Sequence, residues 1–157
     1  MSEQTILTPQ KLALFLGCDT PEGKLIGVTE WACYIGTEHI SKSISIQNVK
    51  PILRKLDSMT DDEAIHIAKL SLSVKDVCFR HAIIMRHDDE INIYTHYYNT
   101  SIDEEDKDIV TIQNDFDIYI SDNFFSAHNQ PQIFQYLTQC QFDIFGWIDK
   151  NIALNKK

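Results

Sequence analysis

The sequence predicts an α+β fold: short terminal helices packed on antiparallel β-sheet, with the N-terminal part forming a small SH3-like meander. Three observations predict it. Helix-start signals stand at Thr8-Pro9, at Thr60-Asp61-Asp62-Glu63 and at Pro131. Between them run short segments rich in β-branched and aromatic residues, broken by turn residues. The composition, 43% hydrophobic and 24% charged over 157 residues, is that of a chain able to bury a core. That length suits one compact domain, 1–157, with 1–70 and 71–157 as possible sub-units.

The elements follow in order. Thr8 caps a first short helix, Pro9 suits its first turn and Gly17 its end; Leu12, Leu14, Phe15 and Leu16 supply an apolar face. Asp19-Thr20-Pro21-Glu22-Gly23 is a turn. Lys24–Thr29, Trp31–Ile35 and Ser43–Ile46 read as three closely spaced strands. Pro51 holds Lys50 extended, so no helix begins before it. Thr60 and Glu63 form a capping box for a helix running to about Leu70.

Asp76–Arg86 and Ile91–Tyr98 read as a hairpin around His87-Asp88-Asp89-Glu90. Its register sets Phe79 opposite Tyr98, His81 opposite His96, Ile83 opposite Tyr94 and Met85 opposite Asn92. Asn99–Asp108 is expected as an acidic loop, followed by strands Ile109–Ile112 and Phe116–Ile120 around Asn114-Asp115. Ile133, Phe134 and Leu137 give the next helix its face. Asp143 is expected to cap a last helix carrying Ile144, Phe145, Ile148 and Ile152.

A net charge of −9 without a Lys/Arg cluster argues against direct binding of nucleic acid or of an anionic membrane. No run is long and apolar enough to span a bilayer. Met1-Ser2-Glu3-Gln4 lacks the basic start of an export signal, which places the chain in the cytoplasm as an expectation. Cys18, Cys33, Cys78 and Cys140 are far apart and form no CxxC pair, so neither a zinc site nor a dithiol is expected. Cys33, Cys78 and Cys140 stand in apolar contexts and read as packing residues.

The best chemical constellation is the cross-strand pair His81 and His96, with Cβ atoms about 5 Å apart when directly opposed. Such a pair can share a metal or work as acid and base. Neither has a Thr or Ser two residues on, as some two-histidine phosphoesterases have, and no third metal ligand is apparent. No catalytic residue, metal ligand or cofactor is therefore assigned. Phe79, Tyr94 and Tyr98 share the face of the two histidines in the predicted register. Large exposed aromatic patches are uncommon in monomers, so the first expectation is that a terminal helix covers this face. If open, the same five residues (His81, His96, Tyr94, Tyr98 and Phe79) form the binding surface.

Three blocks carry a resemblance. They are Leu12-Ala13-Leu14-Phe15-Leu16-Gly17-Cys18 with Gly23–Val28; Val49-Lys50-Pro51-Ile52-Leu53-Arg54-Lys55-Leu56-Asp57-Ser58-Met59-Thr60; and Gln130–Leu137 with Phe142-Asp143-Ile144-Phe145-Gly146-Trp147-Ile148 and Ile152-Ala153-Leu154. Together they resemble a family of small uncharacterised proteins encoded by phages and prophages of Bacteroidota. The chain departs from that pattern at Gln141, usually Gly or His, and at Trp147, usually Leu; Ser71–Ser126 matches poorly. The resemblance implies a phage accessory protein in the host cytoplasm and brings no catalytic residue with it. The expected function is non-enzymatic binding of a host protein or a small nucleotide signal, in host modulation or anti-defence. The alternatives are a small phosphodiesterase or other hydrolase using His81 and His96, and a minor virion or cargo protein. A homo-oligomer is compatible with the sequence.

Overall fold

A computed structural model describes residues 7–37, 39–72, 76–87, 90–113, 117–120, 125–126 and 130–157; for 113, 117–120 and 125–126 it describes the backbone alone. The fold is α+β, as predicted. The chain divides into two compact units, one of Met1–Arg54 with Thr138–Lys157 and one of Lys55–Leu137. The division thus falls at Arg54, not near residue 70, because the second helix packs on the central hairpin and the C-terminal segment returns to the N-terminal part.

In the first unit, α1 (Pro9–Ala13) starts where Thr8 Oγ1 accepts from the Lys11 N–H at 3.3 Å. Strands β1 (Asp19–Thr20), β2 (Gly23–Val28), β3 (Ala32–Gly36) and β4 (Ser41–Ser45) form an antiparallel meander in that order. Asp19-Thr20 therefore belongs to a short strand rather than wholly to a turn. Strand β5 (Ile52–Leu53) pairs in parallel with β11 (Leu154–Asn155), and Arg54 bridges to Phe142. Leu12, Phe15, Leu25, Ile35, Leu53, Phe142 and Trp147 are buried.

The predicted last helix does not form. Residues 143–152 make turns, with Gly146 at φ 67° and Asn151 at φ 58°. A left-handed residue at each of these points interrupts the helical hydrogen-bond ladder. Asp143 still caps, but it caps a turn: its Oδ1 accepts from Trp147 N–H at 2.9 Å and its Oδ2 from Ile148 N–H at 2.8 Å. Burial raises the Asp143 carboxyl above the usual carboxylate range, against the lowering effect of these N–H groups.

In the second unit, α2 (Asp61–Leu72) opens on the predicted capping box. Thr60 N–H donates to Glu63 Oε2 at 2.8 Å, and Glu63 N–H to Thr60 Oγ1 at 3.2 Å. Strands β6 (Val77–Arg86), β7 (Glu90–Asn99), β8 (Glu104–Gln113), β9 (Asp117–Ile120) and β10 (Phe125–Ser126) form an antiparallel sheet in the order β10-β9-β8-β7-β6. The expected acidic loop is corrected here: Glu104–Asp108 belongs to β8. Full pairing with Thr95–Asn99 outweighs the low strand propensity of the acids. Helix α3 (Gln130–Gln139) buries Ile133 and Leu137, and its Tyr136 ring lies 4.4 Å from that of His66 on α2. The expected turn at Asn114-Asp115, and His128, lie outside the described residues. No helix among the described residues is long and apolar enough to cross a membrane.

Two buried polar atoms, Thr95 Oγ1 and Trp147 Nε1, have no hydrogen-bond partner among the described residues. Thr95 is fully buried on β7. Thr95→Val keeps its shape and removes the orphaned hydroxyl. This variant is expected to gain about 1 kcal/mol of stability, read as a higher denaturation midpoint in urea. A fall in the midpoint contradicts that account.

Candidate functional site

The candidate site lies on the β6–β8 part of the second unit's sheet. Alternation along β7 separates its two faces. Ile91, Ile93, Thr95 and Tyr97 are buried, whereas Asn92, Tyr94, His96 and Tyr98 are half-buried. Helix α2 packs on the buried face, where its Lys69 Nζ stands 5.3 Å over the Phe79 ring; just before the helix, Met59 O accepts from Arg86 Nε at 2.9 Å. The Arg86 guanidinium also pairs with Asp61.

The face carrying the histidines is therefore the more open of the two, half-buried along β7 and exposed along β6, rather than covered by a helix as expected. His81 is exposed, and Ile83 and Met85 are 54% and 46% exposed. The predicted register holds for His81↔His96, Ile83↔Tyr94, Met85↔Asn92 and Arg86↔Ile91.

It fails for Phe79. A register shift between Phe79 and His81 makes Arg80 an extra residue, so Phe79 pairs with Tyr97 and Cys78 with Tyr98. One inserted residue reverses the faces beyond it. Phe79 consequently leaves the histidine face for the covered one, and Cys78, expected as a packing residue, is exposed. Of the other cysteines, Cys18 and Cys33 are buried and Cys140 is half-buried. Burial pushes the Cys18 thiol up to about 11 and raises that of Cys33, so neither is poised as a thiolate.

The structure thus brings together His81, His96, Tyr94 and Tyr98 and removes Phe79. It also adds residues from the neighbouring strand. Cross-strand pairing puts Glu105, Lys107, Ile109 and Thr111 of β8 beside Tyr98, His96, Tyr94 and Asn92. Arg80 lies over Tyr98, 5.6 Å from its ring, with Nε 3.4 Å from Glu105. Thr111 Oγ1 donates to Asn92 Oδ1 at 2.6 Å. The signal that could have found the β8 residues is the alternation Glu105, Lys107, Ile109, Thr111, hidden by reading the acidic run as a loop.

The two imidazoles stack: their centroids are 4.4 Å apart and their planes 9° from parallel. Ring-nitrogen lone pairs lie in the ring planes, so in this arrangement they run side by side and do not converge on one metal ion or phosphate. No group of three His, Cys, Asp or Glu side chains among the described residues has metal-binding geometry. On the opposite face Tyr97 OH lies 3.3 Å from Asp106 and 3.4 Å from Asp108, as donor to their carboxylates. Burial first, and then these two carboxylates, raise the phenol's pKa well above its ordinary value. That group is a neutral donor at any physiological pH. The arrangement offers aromatic, imidazole and apolar surface with charges at its rim. No protein-family model, curated protein or solved structure matches the chain.

Proposed function

We propose that this protein works by binding, and that the open face of the second unit's sheet, centred on Tyr94, His96 and Tyr98 with His81, is the binding surface. The observation that carries this reading is the contrast between the two faces of β7, one buried under α2 and the other more open. Aromatic side chains at the centre with charges at the rim match the make-up of protein interfaces. A small ligand needs a concavity that encloses most of its surface, and half-buried rings on a sheet beside the exposed His81, Ile83 and Met85 suit a broad partner better. The partner proposed is accordingly a host protein, in the bacterial cytoplasm that the phage resemblance implies. The stacked imidazoles favour this over a two-histidine hydrolase, whose histidines must converge on one phosphate.

The test compares the wild-type chain with a Tyr94→Ala/Tyr98→Ala variant. Both, tagged and immobilised, are exposed to a Bacteroidota lysate, and retained proteins are quantified by mass spectrometry; nucleotide messengers are assayed by equilibrium dialysis. A protein retained by the wild type and weakened roughly thirtyfold in the variant is the expected result. Equal retention by both, or selective uptake of a nucleotide instead of a protein, overturns the reading.

A further inference from the structure

We propose that two copies of this chain pair edge to edge through β6, forming one continuous antiparallel sheet about a two-fold axis at Ile84. Among the described residues strand β6 is the end strand of its sheet, and it spans ten residues, Val77–Arg86. Its exposed apolar side chains, Ile83 and Met85, sit symmetrically on either side of Ile84. A long apolar edge strand is a template for another strand. The bulge at Arg80 breaks the regular edge on the N-terminal side, which leaves His81–Arg86 as the regular stretch.

Hydrogen-bond phase decides which residues face outward. At the hairpin end His87 N–H donates to Glu90 O at 2.8 Å, and Glu90 N–H returns to His87 O at 3.5 Å. That pair is a hydrogen-bonded one, and antiparallel pairs alternate. Stepping back along β6, Met85, Ile83 and His81 bond to β7. Arg86, Ile84 and Ala82 therefore turn their N–H and C=O groups to the free edge. No hydrogen bond from another described element reaches those groups.

A two-fold axis at Ile84 uses those groups and no others. Ile84 pairs with the partner's Ile84, Ala82 with the partner's Arg86, and Arg86 with the partner's Ala82, each a reciprocal N–H···O=C pair. Ile83 then opposes the partner's Met85 in the closer, non-hydrogen-bonded kind of pair, with Cα atoms about 4.5 Å apart. Both exposed apolar side chains of each copy are covered by the other's. Centring on Ile83 fails twice: its N–H already serves β7, and Arg80 would oppose Arg86. Centring on Arg86 sets two guanidinium-bearing residues against each other. Because the axis is perpendicular to the sheet, the two open faces lie on the same side. The pairing does not depend on the binding reading above, since Tyr94 and Tyr98 are on β7, one strand in from the edge.

Size-exclusion chromatography with light scattering at on the order of 50 µM protein tests the pairing. The wild type is expected to show the mass of two chains. Ile83→Glu/Met85→Glu opposes four carboxylates across the axis and is expected to show the mass of one chain, with an unchanged circular dichroism spectrum. Ile83→Lys/Met85→Glu sets each new base opposite the other copy's new acid and is expected to restore the two-chain mass. A wild type of one-chain mass overturns the proposal, as does a two-chain mass that survives the double Glu change. A folded Lys/Glu variant that stays a single chain overturns the register.

Discussion

Replacing Gly36 by alanine is expected to cost about 3 kcal/mol, and so to lower the melting temperature by roughly 6–12 °C for a chain of this size. Gly36 closes β3 with φ at +143°, and a Cβ built there lies 2.1 Å from the Ile40 carbonyl oxygen and 3.0 Å from Ser41 Cα. Both neighbours are backbone, so no rotamer change relieves the overlap. Moving them disturbs the pairing of Gly36 with Ser41 and the Thr37 N–H to Ile40 O bond of 2.8 Å. The control is Gly27→Ala in the adjacent strand. Its added Cβ meets Tyr34 side-chain atoms at 3.6 and 3.8 Å, ordinary contact distances, at a φ that L-residues adopt. That variant is expected to stay within about 1 kcal/mol of the wild type. Equal melting temperatures for the two variants contradict the assignment.

Asp143→Ala is expected to have an effect of similar size, about 3 kcal/mol, for a different reason. The carboxylate accepts the Trp147 and Ile148 N–H groups in the C-terminal turn, and Asp143 is 4% exposed. Removing it leaves two donors facing a gap beside the buried Trp147 ring. Asp143→Asn keeps one acceptor and turns an NH2 group toward the other donor, so it is expected to lie between the wild type and Ala. The pH dependence has a definite sign. Burial holds the folded-state pKa above its unfolded value, near 4. This group's contribution to stability is therefore fully present below the unfolded value and is lost as pH rises through the folded one. The advantage of the wild type over Asp143→Asn should widen as pH falls from 7 toward 4. Chemical denaturation at both pH values measures it, and a narrowing difference contradicts the sign.

Much of the second unit was legible in the chain. Thr60 and Glu63 announce α2 because a capping box is a local arrangement, complete within four residues. The alternation in Ile91–Tyr98 and the turn at His87 set the pairing of His81 with His96 because hairpin register depends on loop length alone. The acidic stretch Glu104–Asp108 was not legible as strand. Its residues disfavour a sheet in isolation, and only the neighbouring β7 makes the conformation favourable. The last expected helix is absent for the opposite reason. Its apolar spacing is helical, but Gly146 and Asn151 take left-handed conformations that break the helix, while Ile144 and Trp147 are buried.

The α+β class, the capped start of α2, the central hairpin and the meeting of His81 with His96 are all written in the chain. Each depends on neighbours close along the chain. Which side of that hairpin stays more open, the departure of Phe79 from it, and the place of β6 at the end of the described sheet emerge from packing alone. These depend on one extra residue in a strand, on where α2 settles and on the order in which distant strands pair, none of which has a local signature.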